Sequence, residues 1–224
     1  MRGAAVALLL VLAGAADAMA QARAQPARPP VAPARPTLSA RVFGDVGLTT
    51  FTAADSFEAT LGSAAGVVFG GGGEIVLPQR IFFGVRAARF KADGERVFVN
   101  DGEVFPLGIP MTVSVTPILL TAGYRFGRAG STLYPYVGGG VGWHKYEETS
   151  EFAAEGENVS ESFIGYHLLG GAEYRLARLF GVAGEAQWAT VPDALGQNPS
   201  SVATAFDDTD LGGFTVRIKL VIGR

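Results

Sequence analysis

The chain of 224 residues contains no cysteine, only two histidines and few charged residues, at 17%. The lack of cysteine excludes disulfides, a lipoprotein anchor and thiolate metal sites. A formal net charge of −3 gives no support to a nucleic-acid partner. Past the N-terminus, no apolar run approaches the roughly 18 residues that a transmembrane helix needs. A membrane span would therefore be a closed β-barrel, and 31 glycines with 10% aromatic residues are typical of many short strands.

The first twenty residues have the pattern of a cleaved secretory signal peptide. Arg2 provides a positive charge, residues 6–13 form a short apolar segment, and Ala18-Met19-Ala20 is a small-x-small cleavage site. Cleavage after Ala20 is predicted, with cleavage after Ala18 as the alternative. Residues 21–38, rich in proline and alanine, are predicted to be a periplasmic linker. The outer-membrane barrel domain is predicted to span residues 39–224.

From Ser39 onward, apolar residues recur at every second position. In the last segment Phe214 and Ile218 fall on one face, whereas Arg217 and Lys219 fall on the other, as in a half-buried strand. This pattern predicts eight strands, at residues 39–51, 65–77, 81–92, 111–126, 132–146, 162–175, 179–190 and 211–222.

The segments between these strands alternate in length. The short ones are 78–80, 127–131 and 176–178, and the long polar ones are 52–64, 93–110, 147–161 and 191–210. Short turns at one end and long loops at the other are typical of outer-membrane barrels, with the short turns periplasmic. The predicted fold is an all-β, eight-stranded antiparallel up-and-down transmembrane β-barrel. Hairpin turn signals at Asp93-Gly94 and Asn100-Asp101-Gly102 predict a further hairpin rising above the membrane.

A soluble barrel would show the same alternation, so the two faces have to be distinguished. Tyr166 and Tyr174 are separated by eight positions, or roughly 20 Å along the membrane normal, which approximates the spacing of aromatic girdles. The predicted girdle consists of Trp143, Tyr166, Tyr174, Phe180, Trp188 and Phe214. The opposite faces carry glycine, such as Gly138, Gly140 and Gly142, and charge of both signs. The predicted lumenal ion pairs involve Asp45, Glu74, Arg86, Glu173, Glu185, Arg217 and Lys219.

The glycine-rich run Pro135-Tyr136-Val137-Gly138-Gly139-Gly140-Val141-Gly142-Trp143, the signal peptide and the closing amphipathic strand resemble small outer-membrane β-barrel proteins. This is the group of the OmpA transmembrane domain and OmpW, and the resemblance covers residues 39–224. It implies an eight-stranded barrel that contacts outer-membrane lipid and is inserted by the barrel-assembly machinery. We expect a monomer. The ending Ile222-Gly223-Arg224 departs from the aromatic residue that usually closes such chains.

No motif for a cofactor or metal is found. Gly70 to Gly73 lie inside a strand and no Lys-Ser/Thr pair follows, so a phosphate loop is not expected. His144 and His167 have no recognisable serine partner, and the chain is not expected to be an enzyme. The acidic loop residues are interpreted as a solvated surface, with divalent-cation binding as the alternative; they are Glu147, Glu148, Glu151, Glu155, Glu157, Asp207, Asp208 and Asp210.

The leading functional hypothesis is a structural or interaction barrel whose lumen is plugged by ion pairs. The first alternative is a narrow channel or transport path for small hydrophobic molecules, which the OmpW-like resemblance suggests. That alternative predicts an apolar pocket near the outer rim, lined by Phe43, Phe82 and Phe90. A barrel-type surface enzyme is the second alternative, and it would need a histidine hydrogen bonded to a serine and a carboxylate.

Overall fold

A computed structural model describes residues 38–100, 102–127, 130–153, 158–198 and 201–223. The predicted signal peptide and all of the predicted linker except Leu38 lie outside these residues, so both remain predictions.

The described residues form eight strands and two short helices. In chain order they are β1 (Ser39–Phe51), α1 (Ala54–Leu61), β2 (Ala65–Val76), β3 (Ile81–Asn100), β4 (Glu103–Arg125), β5 (Leu133–Thr149), β6 (Val159–Arg175), β7 (Phe180–Thr190), α2 (Val202–Ala205) and β8 (Gly213–Gly223). Each strand pairs with the next in antiparallel fashion, and β8 closes on β1. The predicted up-and-down barrel fold is confirmed.

The strand register determines the shape of the barrel. Starting at Arg41, the chain of paired residues passes around all eight strands and returns to β1 at Phe51, ten residues further along. With strands about 4.8 Å apart and a rise of about 3.3 Å per residue, this stagger tilts the strands by roughly 40°. Such a barrel has an interior that side chains can fill completely.

The short connections of residues 77–80, 126–132 and 176–179 define what we call the turn end of the barrel. The opposite rim, with the longer connections, is the loop end. Between the two ends the side chains alternate as the sequence predicts: in β8, Phe214, Val216, Ile218 and Leu220 are more than half exposed, whereas Arg217 is 2% exposed. The apolar face is therefore on the outside of the barrel.

Residues 93–100 and 103–110 are strand rather than loop, because β3 and β4 continue as a two-stranded ribbon beyond the rest of the barrel. Their pairing extends to Asn100 and Glu103, with one irregularity between Glu95 and Val97. The pairing of Asn100 with Glu103 agrees with the expected hairpin, although Asp101 itself lies outside the described residues. Asp93-Gly94 is not a turn: Asp93 pairs with Thr112 and accepts a hydrogen bond from its hydroxyl group at 2.6 Å.

The connections at the loop end fold inward over the barrel mouth. Phe57 of α1 stacks on Phe51 at a ring-centroid distance of 4.3 Å, and Phe90 packs edge-on against Phe51 at 4.9 Å. Val191 and Leu195, from the connection before β8, join the same group. We call these residues, together with Val113 and Tyr146, the loop-end cluster.

No helix among the described residues is both long and apolar enough to cross a bilayer.

Candidate functional site

The lumen near the turn end contains a four-residue ionic network. Arg41 forms an ion pair with Glu74, and its Nη1 donates to Glu173 Oε2 at 2.7 Å. From the other side, Arg125 Nη2 donates to the same Glu173 oxygen at 2.6 Å, and Arg125 Nη1 lies 3.5 Å from Glu74. Two guanidinium groups thus bridge two carboxylates contributed by β1, β2, β4 and β6. All four side chains are less than 10% exposed.

Further pairs fill the middle of the lumen. Arg86 donates through Nε and Nη2 to the two carboxylate oxygens of Asp45, at 3.0 and 2.6 Å. Glu185 forms an ion pair with Arg217 and accepts from Lys219 Nζ at 3.0 Å. Tyr136 donates its hydroxyl hydrogen to Glu185 at 2.8 Å. Each of these buried charges therefore has an opposite charge within hydrogen-bond reach, as burial in a low-dielectric interior requires.

Glycine makes room for these large side chains. A Cβ atom at Gly70 would lie 2.7 Å from Arg86 Nη2, and one at Gly171 would lie 2.8 Å from the Tyr136 hydroxyl. Gly138, Gly140 and Gly142 also face inward, since they alternate with outward Val137, Val141 and Trp143. The glycine content of the strands is thus a consequence of how tightly the lumen is filled.

The structure places all seven predicted lumenal residues inside the barrel, each between 2% and 9% exposed. Arg41 and Arg125, which complete the network at the turn end, are not among the predicted residues. Arg41 lies four residues before Asp45 on the same face of β1. The alternation of inward and outward residues was therefore enough to predict that it faces the lumen. Arg125 lies at the end of β4, where burial alternates regularly from Leu119 onward, so the same signal was sufficient for it.

The three phenylalanines predicted to line one apolar pocket do not do so. Phe82 lies near the turn end against Tyr136, at a ring-centroid distance of 6.1 Å. Phe43 lies under Lys219, whose Nζ is 4.0 Å from the ring centroid. Phe90 belongs to the loop-end cluster. The three side chains all face the lumen, but they lie at different depths because the tilted strands are staggered. The prediction that they line one apolar pocket is therefore wrong.

Both histidines face the lumen and are buried. His167 Nε2 lies 2.9 Å from the hydroxyl oxygen of Thr121, and neither ring is hydrogen bonded to a serine within the described ranges. The arrangement that the enzyme alternative requires is not formed by these side chains.

The acidic residues of the connection before β8 tie the loop end together. Asp208 accepts hydrogen bonds from the backbone N–H and the hydroxyl group of Ser56 in α1, at 3.1 and 2.6 Å. Asp210 accepts from the Thr190 hydroxyl, from the Val191 N–H at 3.0 Å and from the Gly212 N–H. Burial acts to raise the pKa of Asp210, but these hydrogen bonds outweigh it and hold the pKa below its ordinary value.

The remaining acidic positions that the structure describes have other surroundings. Within the part of the chain that the structure describes, no group of His, Asp and Glu has the geometry to hold a metal ion. Glu147 forms an ion pair with Lys145 at 2.7 Å, and Glu148 accepts from the Tyr146 hydroxyl. Asp207 lies beside Asp208 with a positive φ of 61°, and Glu151 is exposed. Glu155 and Glu157 lie outside the described residues.

The six aromatic residues of the predicted girdle lie at two levels of the outer surface. All six predicted girdle residues are about half exposed. Trp188 pairs with Phe214, and Trp143 pairs with Ile164, two positions from Tyr166. Tyr174 and Phe180 flank the short turn between β6 and β7 at the opposite end. Strand rise and tilt put the two levels roughly 20 Å apart, close to the height of a lipid-facing band.

Taken with its closed antiparallel register, this exterior defines the fold of small eight-stranded outer-membrane β-barrels. A major outer membrane protein from Thermus thermophilus superposes with a TM-score of 0.53 at 10% identity, covering 83% of this chain and 99% of that one. The N-terminal β-barrel domain of Pseudomonas aeruginosa OprF gives 0.46 at 12% identity, covering 83% and 97%. E. coli Outer Membrane Protein W gives 0.44 at 20% identity, covering 81% and 96%.

The similarity to the Thermus protein is a similarity of fold. For the fold, it confirms the resemblance to small outer-membrane barrels that the sequence indicates. The predicted location in the bacterial outer membrane agrees with this fold. No protein-family model matches the sequence. No curated protein matches it either.

Proposed function

We propose that this chain is a monomeric outer-membrane barrel whose transmembrane lumen is closed to ions, so that it acts through its loop end as a structural or interaction protein. The turn end faces the periplasm in this proposal and the loop end faces outward, as in other barrels with one rim of short turns. Insertion by the barrel-assembly machinery follows from the same proposal.

The ion pairs of the lumen are the observation that carries the proposal. Arg41, Glu74, Arg125 and Glu173 span the turn end, and the Asp45–Arg86 and Glu185–Arg217 pairs lie above them. For an ion to pass, both levels would have to open at once. Removing one partner of a buried pair costs about 3–5 kcal/mol because the other charge is left uncompensated, so displacing these pairs to admit an ion is unfavourable.

The closed sheet supports the monomeric state. Because β8 pairs with β1 over Arg41 to Phe51, the barrel wall offers no unpaired strand edge to a second copy. Outward-facing Val46, Val85 and Ile218 are about half exposed or more in the isolated chain, and bilayer lipid would cover them.

Recording from planar bilayers tests the closed lumen. The purified protein is expected to give no steady conductance, whereas the variant Arg41→Ala/Arg86→Ala/Arg125→Ala/Arg217→Ala, which removes two large side chains from each level, is expected to leak. Each sample is first checked for folding by its heat-dependent gel mobility. Large, steady conductance of the unmodified protein would contradict the proposal.

A transport path for small hydrophobic molecules remains the alternative. It would require an apolar route from one end of the lumen to the other. The loop-end cluster is apolar, but the buried charges lie between it and the turn end, and desolvating them around an apolar solute is unfavourable. The apolar space at the loop end is better explained as a closed-off pocket.

A further inference from the structure

The loop end contains a cavity of about 680 Å³ above the ionic lumen. Its walls come from the β3–β4 ribbon, the outer ends of β5 and β6, helix α1 and the connection before β8. The apolar part of the lining includes Phe57, Leu61, Leu107, Met111, Val113 and Leu195. A pocket of this volume and composition is typical of sites for small organic ligands.

The cavity is blind because the structure closes it from below. Phe51, Phe57 and Phe90 pack against one another beneath it. Val191 is fully buried and Val113 nearly so in the same cluster. A molecule that enters from the loop end therefore meets an apolar floor before it reaches the ion pairs.

The polar part of the lining gives the cavity a net negative charge. Glu148 and Glu161 lie on adjacent strands, since Glu161 pairs with Tyr146 two positions from Glu148. Both glutamates are lining residues of the cavity, and Arg96 is the basic residue of the lining. Tyr146 donates its hydroxyl hydrogen to Glu148 and so holds that carboxylate in place.

We propose that this cavity is a binding site for small amphipathic cations, molecules with an apolar ring or chain and one positively charged head group. The apolar body would lie against Met111, Val113 and Leu195, and the head group would lie by Glu148 and Glu161. The ligand stays at the loop end and is not carried through the barrel. Binding at this site does not require a closed lumen. A conductive lumen would therefore leave this binding site standing, and failure of the binding test below would leave the closed lumen standing.

Three naphthalene probes that differ mainly in charge test the proposal: 1-naphthylmethylammonium, 1-naphthalenemethanol and 1-naphthoate. Each is titrated against the full chain in nanodiscs of zwitterionic lipid, with empty nanodiscs subtracted. The ammonium probe is expected to bind most tightly. In Glu148→Gln/Glu161→Gln its affinity should fall about fivefold, as expected for partly exposed charge pairs. The alcohol should be unaffected. Equal affinity for the three probes, or no change in the double variant, would overturn the proposal.

The absence of cysteine allows the site to be located directly. Leu107→Cys places a thiol in the cavity lining, and Phe98→Cys places one outside it on the same ribbon. The ammonium probe should slow maleimide labelling at position 107 and leave position 98 unchanged. Ala203→Trp, which fills the cavity, should abolish the protection. Equal protection at 98 and 107 would show that the probe only partitions into lipid, and would also overturn the proposal.

Discussion

Asp45 and Arg86 form a two-hydrogen-bond ion pair across the strand that separates them. Asp45 pairs with Gly70 of β2, and Arg86 pairs with Gly72 of the same strand. Because neither glycine has a side chain, the guanidinium group reaches over β2 to both carboxylate oxygens, at 3.0 and 2.6 Å. The charges of β1 and β3 and the glycines of β2 are thus parts of one arrangement.

The first prediction concerns this pair. Asp45→Ala should destabilise the barrel by about 3 kcal/mol because it leaves the Arg86 charge buried without its partner. The double variant Asp45→Ala/Arg86→Leu should be clearly more stable than Asp45→Ala alone. Urea unfolding in lipid vesicles measures the unfolding free energies of the two single variants, Asp45→Ala and Arg86→Leu, and of the double variant. If the double variant lost as much as the sum of the two single variants, the two residues would not be coupled.

The second prediction concerns lumen-facing glycine. A Cβ atom at Gly140 would overlap the backbone carbonyl oxygen of Leu120, which cannot move without breaking the pairing of β4 with β5. Gly140→Ala should therefore cost about 2 kcal/mol, as overpacking of a filled interior does. Gly184→Ala, on the outward face of β7, is the control, because no atom lies within 4 Å of the added carbon. Equal unfolding free energies for the two variants would contradict the filled lumen.

The outward face of these strands was readable from the sequence, but the pairing of the inward charges was not. Alternation within β8 is enough to separate Phe214 and Ile218 from Arg217 and Lys219. Which carboxylate meets Arg217 depends on the ten-residue stagger of the whole barrel, which no single strand encodes. For the same reason Phe43, Phe82 and Phe90 share a face yet lie at different depths.

The third prediction tests the lipid-facing surface. Ile218 is 62% exposed and lies about midway between the two aromatic levels. Ile218→Arg should cost about 2–4 kcal/mol in a bilayer, the value for an arginine near the midplane of a barrel. Phe98→Arg, on the ribbon beyond the loop-end aromatic level, is the control and should be close to neutral. Folding titrations in vesicles compare them, and a neutral Ile218→Arg would argue against membrane insertion.

The fourth prediction concerns acid. Because the pKa of Asp210 is held below its ordinary value, its hydrogen bonds stabilise the loop end at neutral pH. This contribution is complete above the unfolded-state pKa and is lost as the pH falls through the lower, folded-state pKa. Hydrogen exchange at the Val191 and Gly212 amides, corrected for intrinsic rates, should accelerate only below the ordinary carboxyl range.

Asp210→Asn serves as the comparison for this experiment. It removes the charge but keeps an oxygen acceptor, so exchange at the two amides should be faster at neutral pH and insensitive to acid. Protection that responds to acid equally in the variant would assign the effect to another group.

The loop end is where reasoning from the sequence reached least far. Helix α1, which lies within residues 52–64, has no N-cap hydrogen bond from a side chain and is only eight residues long. Such a short helix is only marginally stable in isolation and depends on tertiary contacts. Here Phe57 stacks on Phe51, and Ser56 donates a hydrogen bond to Asp208. Asp93-Gly94 was misread because a local turn signal was outweighed by continued pairing of β3 with β4.

Cell fractionation combined with heat-dependent gel mobility tests whether this chain forms an outer-membrane barrel. Cells producing the chain are fractionated, and the outer-membrane fraction is run on a denaturing gel with and without heating. The account predicts that the protein is found in this fraction and that the unheated, still-closed barrel migrates differently from the heated chain. Recovery in the soluble periplasmic fraction with no change of mobility on heating would contradict it.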